Sequence, residues 1–288
     1  MTMQTLKKTI RQEKMFYVDL HTHTTYSDGS NSPAQNIVDM AMIGMQYIAI
    51  TDHDTIAGFE EARAEAKKWG VSVISGVEIT TEKYHILGYD FDVKDKRLGM
   101  LLTELRKSQE KSTRDKVEIL RALGVPITFE KIKIFYPHSR LGKVNLLVSM
   151  ITDPECREYH KDAGMQELSD LYFSKRHGAP LSLMNGENAL SSADAISAIY
   201  EAGGISILAH PFKDVKKMSE LDQLVAEGIT GLEIQPNYSD RNIPFKEYAE
   251  RNRLLITYGS DYHGARKRSR PLLSRGENIL SCFWKLLY

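Results

Sequence analysis

The feature that most constrains the fold of this chain is a regular alternation of short apolar strands with amphipathic helices, near both ends of the sequence. Strands are predicted in the N-terminal part at 16–20, 47–51, 71–80 and 84–91, with helices from Ser32-Pro33 to Gly44 and at 57–69. In the C-terminal part, strands are predicted at 205–210, 231–235 and 254–261, with helices at 192–202, 217–227 and 244–252. This alternation predicts an α/β fold with a mainly parallel sheet, open or closed into a barrel.

The alternation stops between about 95 and 190, where only helices are predicted, at 98–123, 141–152 and 162–177. We therefore predict a barrel formed by 15–94 and 191–288, with 95–190 as a helical insertion that contacts the substrate. Positive side chains outnumber negative ones by seven between 94 and 143, and a second basic cluster comprises Arg266, Lys267, Arg268, Arg270 and Arg275. These runs are compatible with solvated helix faces or with an anionic partner.

Potential metal ligands fall at the predicted strand ends. They are His21, His23, His53, Glu78, His85, His210, Asp261 and His263, with Asp28 in the loop after the first strand. The carboxyl ends of parallel strands in a barrel share one face, so these distant residues are expected to converge there. A lone histidine is more often an ordinary polar residue, but six of the nine histidines share this placement. Imidazoles and carboxylates together favour a divalent metal site. The remaining three, His138, His160 and His177, are interpreted as surface residues or substrate contacts.

Six ordered motifs then resemble those of one family. "DLHTHTTYSDGS", "AITDHDT", "GVEI", "HILGY", "ILAHP" and "GSDYH" are similar to the motifs of the PHP (polymerase and histidinol phosphatase) superfamily, over roughly 16–92 and 190–265. The resemblance implies a distorted (β/α)7 barrel with two or three divalent metals, Mn, Fe or Zn. It assigns His21, His23, Glu78 and Asp261 to one metal. Glu78 would bridge to a second metal, with His85 and His210, and Asp28, His53 and His263 would bind a third.

The insertion resembles one branch of that family. "RDKVEILRALGVPITFE", "LYFSKRHGAP" and "SSADAISAIYEAGGISILAHP" are similar to stand-alone phosphoesterases, including nucleoside 3′,5′-bisphosphate phosphatases and 5′→3′ exoribonucleases. In that branch the insertion overhangs the metals and binds the substrate's other phosphate. Relatives tend to have Gly-Arg-Pro-His where this chain has Gly142-Lys143-Val144-Asn145, and Lys and Asn are not equivalent to Arg and His as phosphate ligands. The predicted substrate contacts are His138, Arg140, Lys143 and Asn145, although the charge alone is equally compatible with a solvated loop.

These observations predict a metal-dependent phosphoric ester hydrolase. Its substrates would be phosphorylated small molecules, nucleotides or short RNA ends, attacked by a hydroxide held between two metals. Asp52 and Asp54 flank His53 and are expected to orient imidazoles. The general acid is not assigned.

Three alternatives stay open at this point. The first is a small-molecule phosphatase with a substrate such as histidinol phosphate, which the basic helical insertion disfavours. The second is a non-catalytic metal-binding PHP module, which the intact ligand set disfavours. The third is an amidohydrolase, which is disfavoured because Glu78 stands where that family normally has a bridging lysine.

Composition excludes further classes. Cys156 and Cys282 are too few and too distant for a disulfide framework or a cysteine-based zinc site. The formal net charge is zero, so the chain as a whole shows no bias toward nucleic acid or membranes. No segment has the length of a membrane span, and the first fourteen residues lack the apolar region of a secretory signal. We expect a cytoplasmic protein with no membrane association and no obligate protein partner.

Overall fold

A single curved sheet organises the chain. The computed structural model describes residues 17–175, 178–182, 184, 190–235, 239–266 and 274–275. The strands are β1 (Tyr17–Thr22), β2 (Tyr47–Ile50), β3 (Ser72–Thr80), β4 (His85–Tyr89), β5 (Ile205–Leu208), β6 (Gly231–Ile234), β7 (Leu255–Tyr258) and β8 (Ser274–Arg275). Their order in the sheet is β7-β6-β5-β4-β3-β2-β1-β8. Beyond β7, Tyr262 pairs in parallel with Thr22 at the end of β1, so seven strands form a nearly closed barrel. The predicted distorted barrel is confirmed.

Within the seven-strand barrel one strand departs from the parallel arrangement, and outside it β8 pairs antiparallel with β1. β4 pairs antiparallel with both β3 and β5, whereas the β1–β2, β2–β3, β5–β6 and β6–β7 pairs are parallel. Only residues 81–84 connect β3 to β4, and a parallel crossover needs a dozen or more residues, so this connection must be a hairpin. His85 consequently lies opposite Thr80 at the end of β3. A reversed strand thus presents its first residue where the parallel strands present their last.

Eleven helices are described. They are α1 (Pro33–Met42), α2 (Phe59–Trp69), α3 (Lys96–Ala122), α4 (Phe129–Phe135), α5 (Lys143–Thr152), α6 (Pro154–Tyr159), α7 (Met165–Phe173), α8 (Ser192–Glu201), α9 (Pro211–Asp214), α10 (Ser219–Ala226) and α11 (Ser239–Arg251). The predicted start of α1 is confirmed, because the Ser32 side chain accepts a hydrogen bond from the Gln35 amide and Pro33 is the first helical residue.

The sequence missed the short helices and one helix start. α4, α6 and α9 have seven, six and four residues, which is too short for an amphipathic period to be visible. α11 begins at Ser239, whereas the prediction placed its start at residue 244, a proline that the structure has inside the helix. Among the described residues, no helix has both the length and the apolar character needed to span a membrane.

The helices α3 to α7 have an apolar core of their own. This cluster runs from Val117 to Leu181 and includes Leu120, Ile132 and Leu146, all fully buried. The barrel strands and their flanking helices enclose three other clusters. The division at 95 and 190 remains our proposal for the domain boundaries. The side chains of the basic cluster at 266–275, and that of His177, lie outside the described residues.

Candidate metal centre

The nine predicted ligands lie together at the mouth of the barrel. Potential ligand atoms within 4.8 Å of one another form three groups: His23, Asp28, His53 and His263; His21, His23 and Glu78; and His53, Glu78 and His85. The two other predicted ligands adjoin these groups. His210 Nε2 lies 3.1 Å from Glu78 Oε1, and Asp261 Oδ1 lies 3.5 Å from His23 Nε2. Their role as metal ligands remains a prediction.

Glu78 is at the centre of the cluster. Its Oε1 lies 3.0 Å from His85 Nδ1 and 3.1 Å from His210 Nε2. Its Oε2 lies 3.2 Å from His23 Nε2, 3.2 Å from His53 Nδ1 and 3.3 Å from His21 Nε2. One fully buried carboxylate therefore faces five imidazoles, an arrangement that suits an oxygen ligand shared between cations.

The unsatisfied atoms of this cluster fit a cation. Glu78 Oε2 and His53 Nδ1 are buried and have no hydrogen-bond partner, despite their 3.2 Å separation. The Nε2 atoms of His21 and His23 also face each other at 3.0 Å. Buried polar atoms without partners are costly, and divalent cations bind such convergent imidazole nitrogens and carboxylate oxygens. The residues present therefore fit one or more divalent metals.

Hydrogen bonds on the far side of several rings fix their orientation. His21 Nδ1 lies 2.7 Å from Glu233 Oε1, and His210 Nδ1 lies 3.1 Å from Asp214 Oδ2. When each Nδ1–H donates to its carboxylate, the Nε2 lone pair is directed into the cluster. Sequence reasoning missed both carboxylates. For Glu233 a signal existed, since a charged residue stands inside the buried strand β6.

We expect Glu233→Gln to weaken metal binding by about 10- to 100-fold, the usual cost of losing a group that orients a ligand. The neutral amide would accept the His21 Nδ1–H bond more weakly than the carboxylate, so the tautomer that leaves Nε2 unprotonated would be less favoured. Calorimetric titration of the metal-free protein with Mn²⁺ measures the effect. Glu201→Gln, which changes an exposed carboxylate paired with Arg97, should leave the affinity unchanged. Equal affinities for the two variants would contradict the role of Glu233.

The metal-free cluster holds protons that a metal must displace. Burial opposes a charge on His23, but the nearby carboxylates of Asp261 and Glu78 outweigh it and raise the pKa of His23 from 6.5 to about 9. Burial likewise opposes a charge on His210, yet bonds with Asp214 and Glu78 raise its pKa to about 8. At His53 burial dominates, and its pKa is held well below 6.5.

The sequence predicts that the two aspartates flanking His53 orient imidazoles, but in the described structure neither forms a hydrogen bond with an imidazole. Asp52 accepts hydrogen bonds from the amide and hydroxyl of Thr24 and from the Ser27 hydroxyl, which lies 3.4 Å from His23 Nδ1. Its influence on an imidazole is therefore indirect. Asp54 accepts from the amide of Thr80, as well as from the Arg140 guanidinium described below. Asp54 thus orients an arginine of the insertion instead of an imidazole.

The four predicted substrate contacts have different environments. Arg140 Nε lies 2.8 Å from Asp54 Oδ2 and Lys143 is exposed, whereas the His138 ring stacks on Tyr26 with 5.7 Å between ring centroids. Asn145 is fully buried. Its side-chain amide accepts from the Gly142 amide and donates to the Ser27 carbonyl, so in this structure it bonds to backbone groups, and its predicted contact with the substrate stays a prediction.

Two further side chains correct the sequence interpretation. His160 bonds within the insertion, through Nδ1 to the Cys156 carbonyl and through Nε2 to the Tyr172 hydroxyl, so it is a structural residue. Lys213, which follows His210 by three residues, was missed. Its Nζ lies 2.8 Å from Asp261 Oδ2, which places an ammonium group at the edge of the cluster.

A nearly closed seven-strand barrel with this donor set at its mouth defines a divalent-metal centre of the type found in barrel hydrolases. The chain belongs to the PHP domain family, since the family model matches residues 19–174. The family predicted from the six motifs is confirmed.

Three similar proteins have named activities. A phosphoribosyl 1,2-cyclic phosphate 1,2-diphosphodiesterase from Eggerthella lenta is 28% identical, covering 85% of this chain and 94% of that protein. A 5′-3′ exoribonuclease from Haemophilus influenzae is 28% identical, covering 85% and 89%. A 3′,5′-nucleoside bisphosphate phosphatase from Chromobacterium violaceum is 26% identical, covering 90% and 91%. All three names describe cleavage of phosphate esters, in agreement with the predicted enzyme class.

The fold is also found in a solved structure. A protein from Bifidobacterium adolescentis, assigned to the metal-dependent phosphoesterases, superposes with a TM-score of 0.77 at 24% identity. The similarity covers 94% of this chain and 95% of that chain. At this identity the match supports the fold.

Proposed function

We propose that this protein is a metal-dependent phosphoesterase that hydrolyses phosphate esters of nucleotides or RNA ends. The observation that carries the proposal is a positively charged cavity, lined mainly by the helical insertion, whose wall includes Thr80, two residues beyond the candidate ligand Glu78. The names of the three similar proteins support the reaction class, and they refer to a phosphoribosyl cyclic phosphate, to RNA and to a nucleoside bisphosphate.

The nine side chains at the mouth would hold two or three divalent ions, which we propose to be Mn, Fe or Zn. Such ions, when bound, lower the pKa of water and neutralise the charge of phosphoryl oxygens. Glu78 would join the metal positions, and Glu233 and Asp214 would keep the rings of His21 and His210 in orientation. Lys213 adds a positive charge at the edge of the centre, where it can bind an anionic group.

The cavity beside the centre favours a substrate with more than one phosphate. Its volume is about 380 Å³, within the range of small-molecule sites. Among the described residues, its lining includes four positive side chains, Lys116, Arg140, Lys143 and Lys175, and one negative side chain, Glu82. Thr80, two residues beyond Glu78, is part of the same wall. A phosphate at the metal centre and a second one in this cavity would match these charges better than histidinol phosphate would.

The test is a turnover screen of the Mn²⁺-loaded protein. It compares a nucleoside 3′,5′-bisphosphate, a 5′-phosphorylated oligoribonucleotide, a phosphoribosyl 1,2-cyclic phosphate and histidinol phosphate. We expect turnover of at least one of the first two, at a higher kcat/KM than histidinol phosphate. Exclusive cleavage of histidinol phosphate would reverse the substrate assignment, and metal binding without any turnover would favour a non-catalytic module.

Because Lys143 lines this cavity, replacing it should weaken binding of the substrate. Lys143→Ala should raise KM for the preferred nucleotide substrate by about 10-fold, because a charged hydrogen bond to phosphate is lost. The KM of p-nitrophenyl phosphate, which has a single phosphate, should stay unchanged. Lys68→Ala, on the exposed face of α2, is the matched control. An equal rise of KM for both substrates would contradict the proposal that Lys143 binds the second phosphate.

A further inference from the structure

A short segment of the insertion contacts the metal-site loop at three consecutive residues. That loop connects His23 to Asp28, and its carbonyls at 25, 26 and 27 all accept hydrogen bonds from the insertion. The Ser139 hydroxyl donates to the Thr25 carbonyl at 2.7 Å. The Arg140 amide donates to the Tyr26 carbonyl at 2.8 Å, and the Asn145 side-chain amide donates to the Ser27 carbonyl at 3.3 Å.

These contacts lie in the interior of the protein, and further hydrogen bonds hold Asn145 and Arg140 in place. Ser139 is 3% exposed and Asn145 is fully buried, so water does not compete for either bond. Asn145 is itself fixed, because its Oδ1 accepts from the Gly142 amide at 3.0 Å. The Arg140 side chain, through Asp54 and Thr80, binds the neighbouring segments that carry His53 and Glu78.

We propose that Ser139, Arg140 and Asn145 form a loop clamp that positions Asp28 for metal binding. The three are positioning residues, since the hydrogen bonds that define the clamp join them to the backbone of the loop. Asp28 lies one residue beyond Ser27, and its Oδ1 is 3.1 Å from His263 Nε2. The insertion thus helps to bring together the four candidate ligands His23, Asp28, His53 and His263, in addition to its proposed contact with the substrate.

Ser139→Ala tests the loop clamp with minimal change of volume. The metal-free variant is titrated with Mn²⁺ by calorimetry, and bound Mn is counted by mass spectrometry after desalting. We expect one equivalent of Mn²⁺ to bind about 10- to 100-fold more weakly than in the wild type, while the other equivalents change by less than about twofold. Ser139→Thr keeps the hydroxyl and should restore the binding.

A second buried serine of the insertion provides the control. The Ser149 hydroxyl on α5 is buried and has no hydrogen-bond partner in the described structure, so Ser149→Ala should bind Mn²⁺ as the wild type does. Asn145→Leu removes a different contact of the clamp and should weaken the same equivalent. Thermal unfolding of each metal-free variant checks that it is folded.

Unchanged binding in Ser139→Ala and Asn145→Leu, or equal weakening of every equivalent, would overturn the loop clamp. The loop clamp depends on the proposed function in one respect only, because both require that the centre binds metal. A wild-type protein that binds Mn²⁺ but cleaves no phosphate ester would refute the proposed function and leave the clamp to be decided by the titration. A wild-type protein that binds no Mn²⁺ would overturn both.

Discussion

Glu78→Gln is expected to lower kcat for phosphate-ester hydrolysis by about 10³-fold or more, which is the scale of losing a central electrostatic group of an active site. The amide is neutral and offers one acceptor oxygen, so it would not balance the charge of the divalent ions that this centre is proposed to hold. Five imidazoles face this carboxylate, and no other acidic residue of the described structure occupies an equivalent position. We also expect the bound metal per chain to fall.

Metal content by mass spectrometry and single-turnover kinetics measure these two effects separately. Glu118→Gln makes the same chemical change on the exposed face of α3, where the carboxylate pairs with Arg121, and should have no effect. If Glu78→Gln retained wild-type turnover with a full complement of metal, Glu78 would not be the central ligand.

Removal of the metals should make the stability of the protein fall as pH rises. His23 has a pKa of about 9 in the folded metal-free state and an ordinary value of 6.5 when unfolded. Its protonation therefore stabilises the fold fully below about pH 6.5, and this contribution is lost as pH rises through 9. The loss is on the order of 3 kcal/mol for His23 alone, and His210, with a pKa of about 8, adds to it.

Added metal should reverse this trend. A cation needs the unprotonated imidazoles, so Mn²⁺ competes with protons and binds more tightly at higher pH. Thermal unfolding between pH 6 and 9, with EDTA or with Mn²⁺ under nitrogen, measures both slopes. We expect Tm with EDTA to decrease over this range and the increase of Tm on adding Mn²⁺ to grow. His23→Asn should flatten the EDTA slope. A Tm with EDTA that rises with pH would show that the imidazoles are neutral in the metal-free protein.

The sequence was informative wherever a local pattern decides the structure. In "HTH" the alternation of a strand puts His21 and His23 on one face, and the ends of parallel strands bring His53, His210 and His263 to the same mouth. Those predictions needed only the period of a strand and the geometry of a barrel.

Contacts between distant segments could not be predicted in this way. The pair of Asp54 with Arg140 joins residues 86 positions apart, and that of His21 with Glu233 joins residues 212 apart. The burial of Asn145 also depends on how the insertion packs on the loop after β1, which no periodicity encodes. Lys213, in the four-residue helix α9, gave no signal because a lysine close to two others, Lys216 and Lys217, is ordinary.

The reversed direction of β4 has a consequence for the length of α3. Since His85 is at the mouth, the chain leaves the barrel from Tyr89 at the opposite rim, and β5 starts beside it at Ile205. The five residues of β4 span about 16 Å, so the chain must cover the same distance back from this rim to the mouth before it can reach the metal site. Ten residues of helix cover about 15 Å, and Arg106, ten residues after Lys96, is where α3 reaches Thr55 at the mouth. The first third of this 27-residue helix therefore spans the height of the barrel, and only the remainder can cover the site.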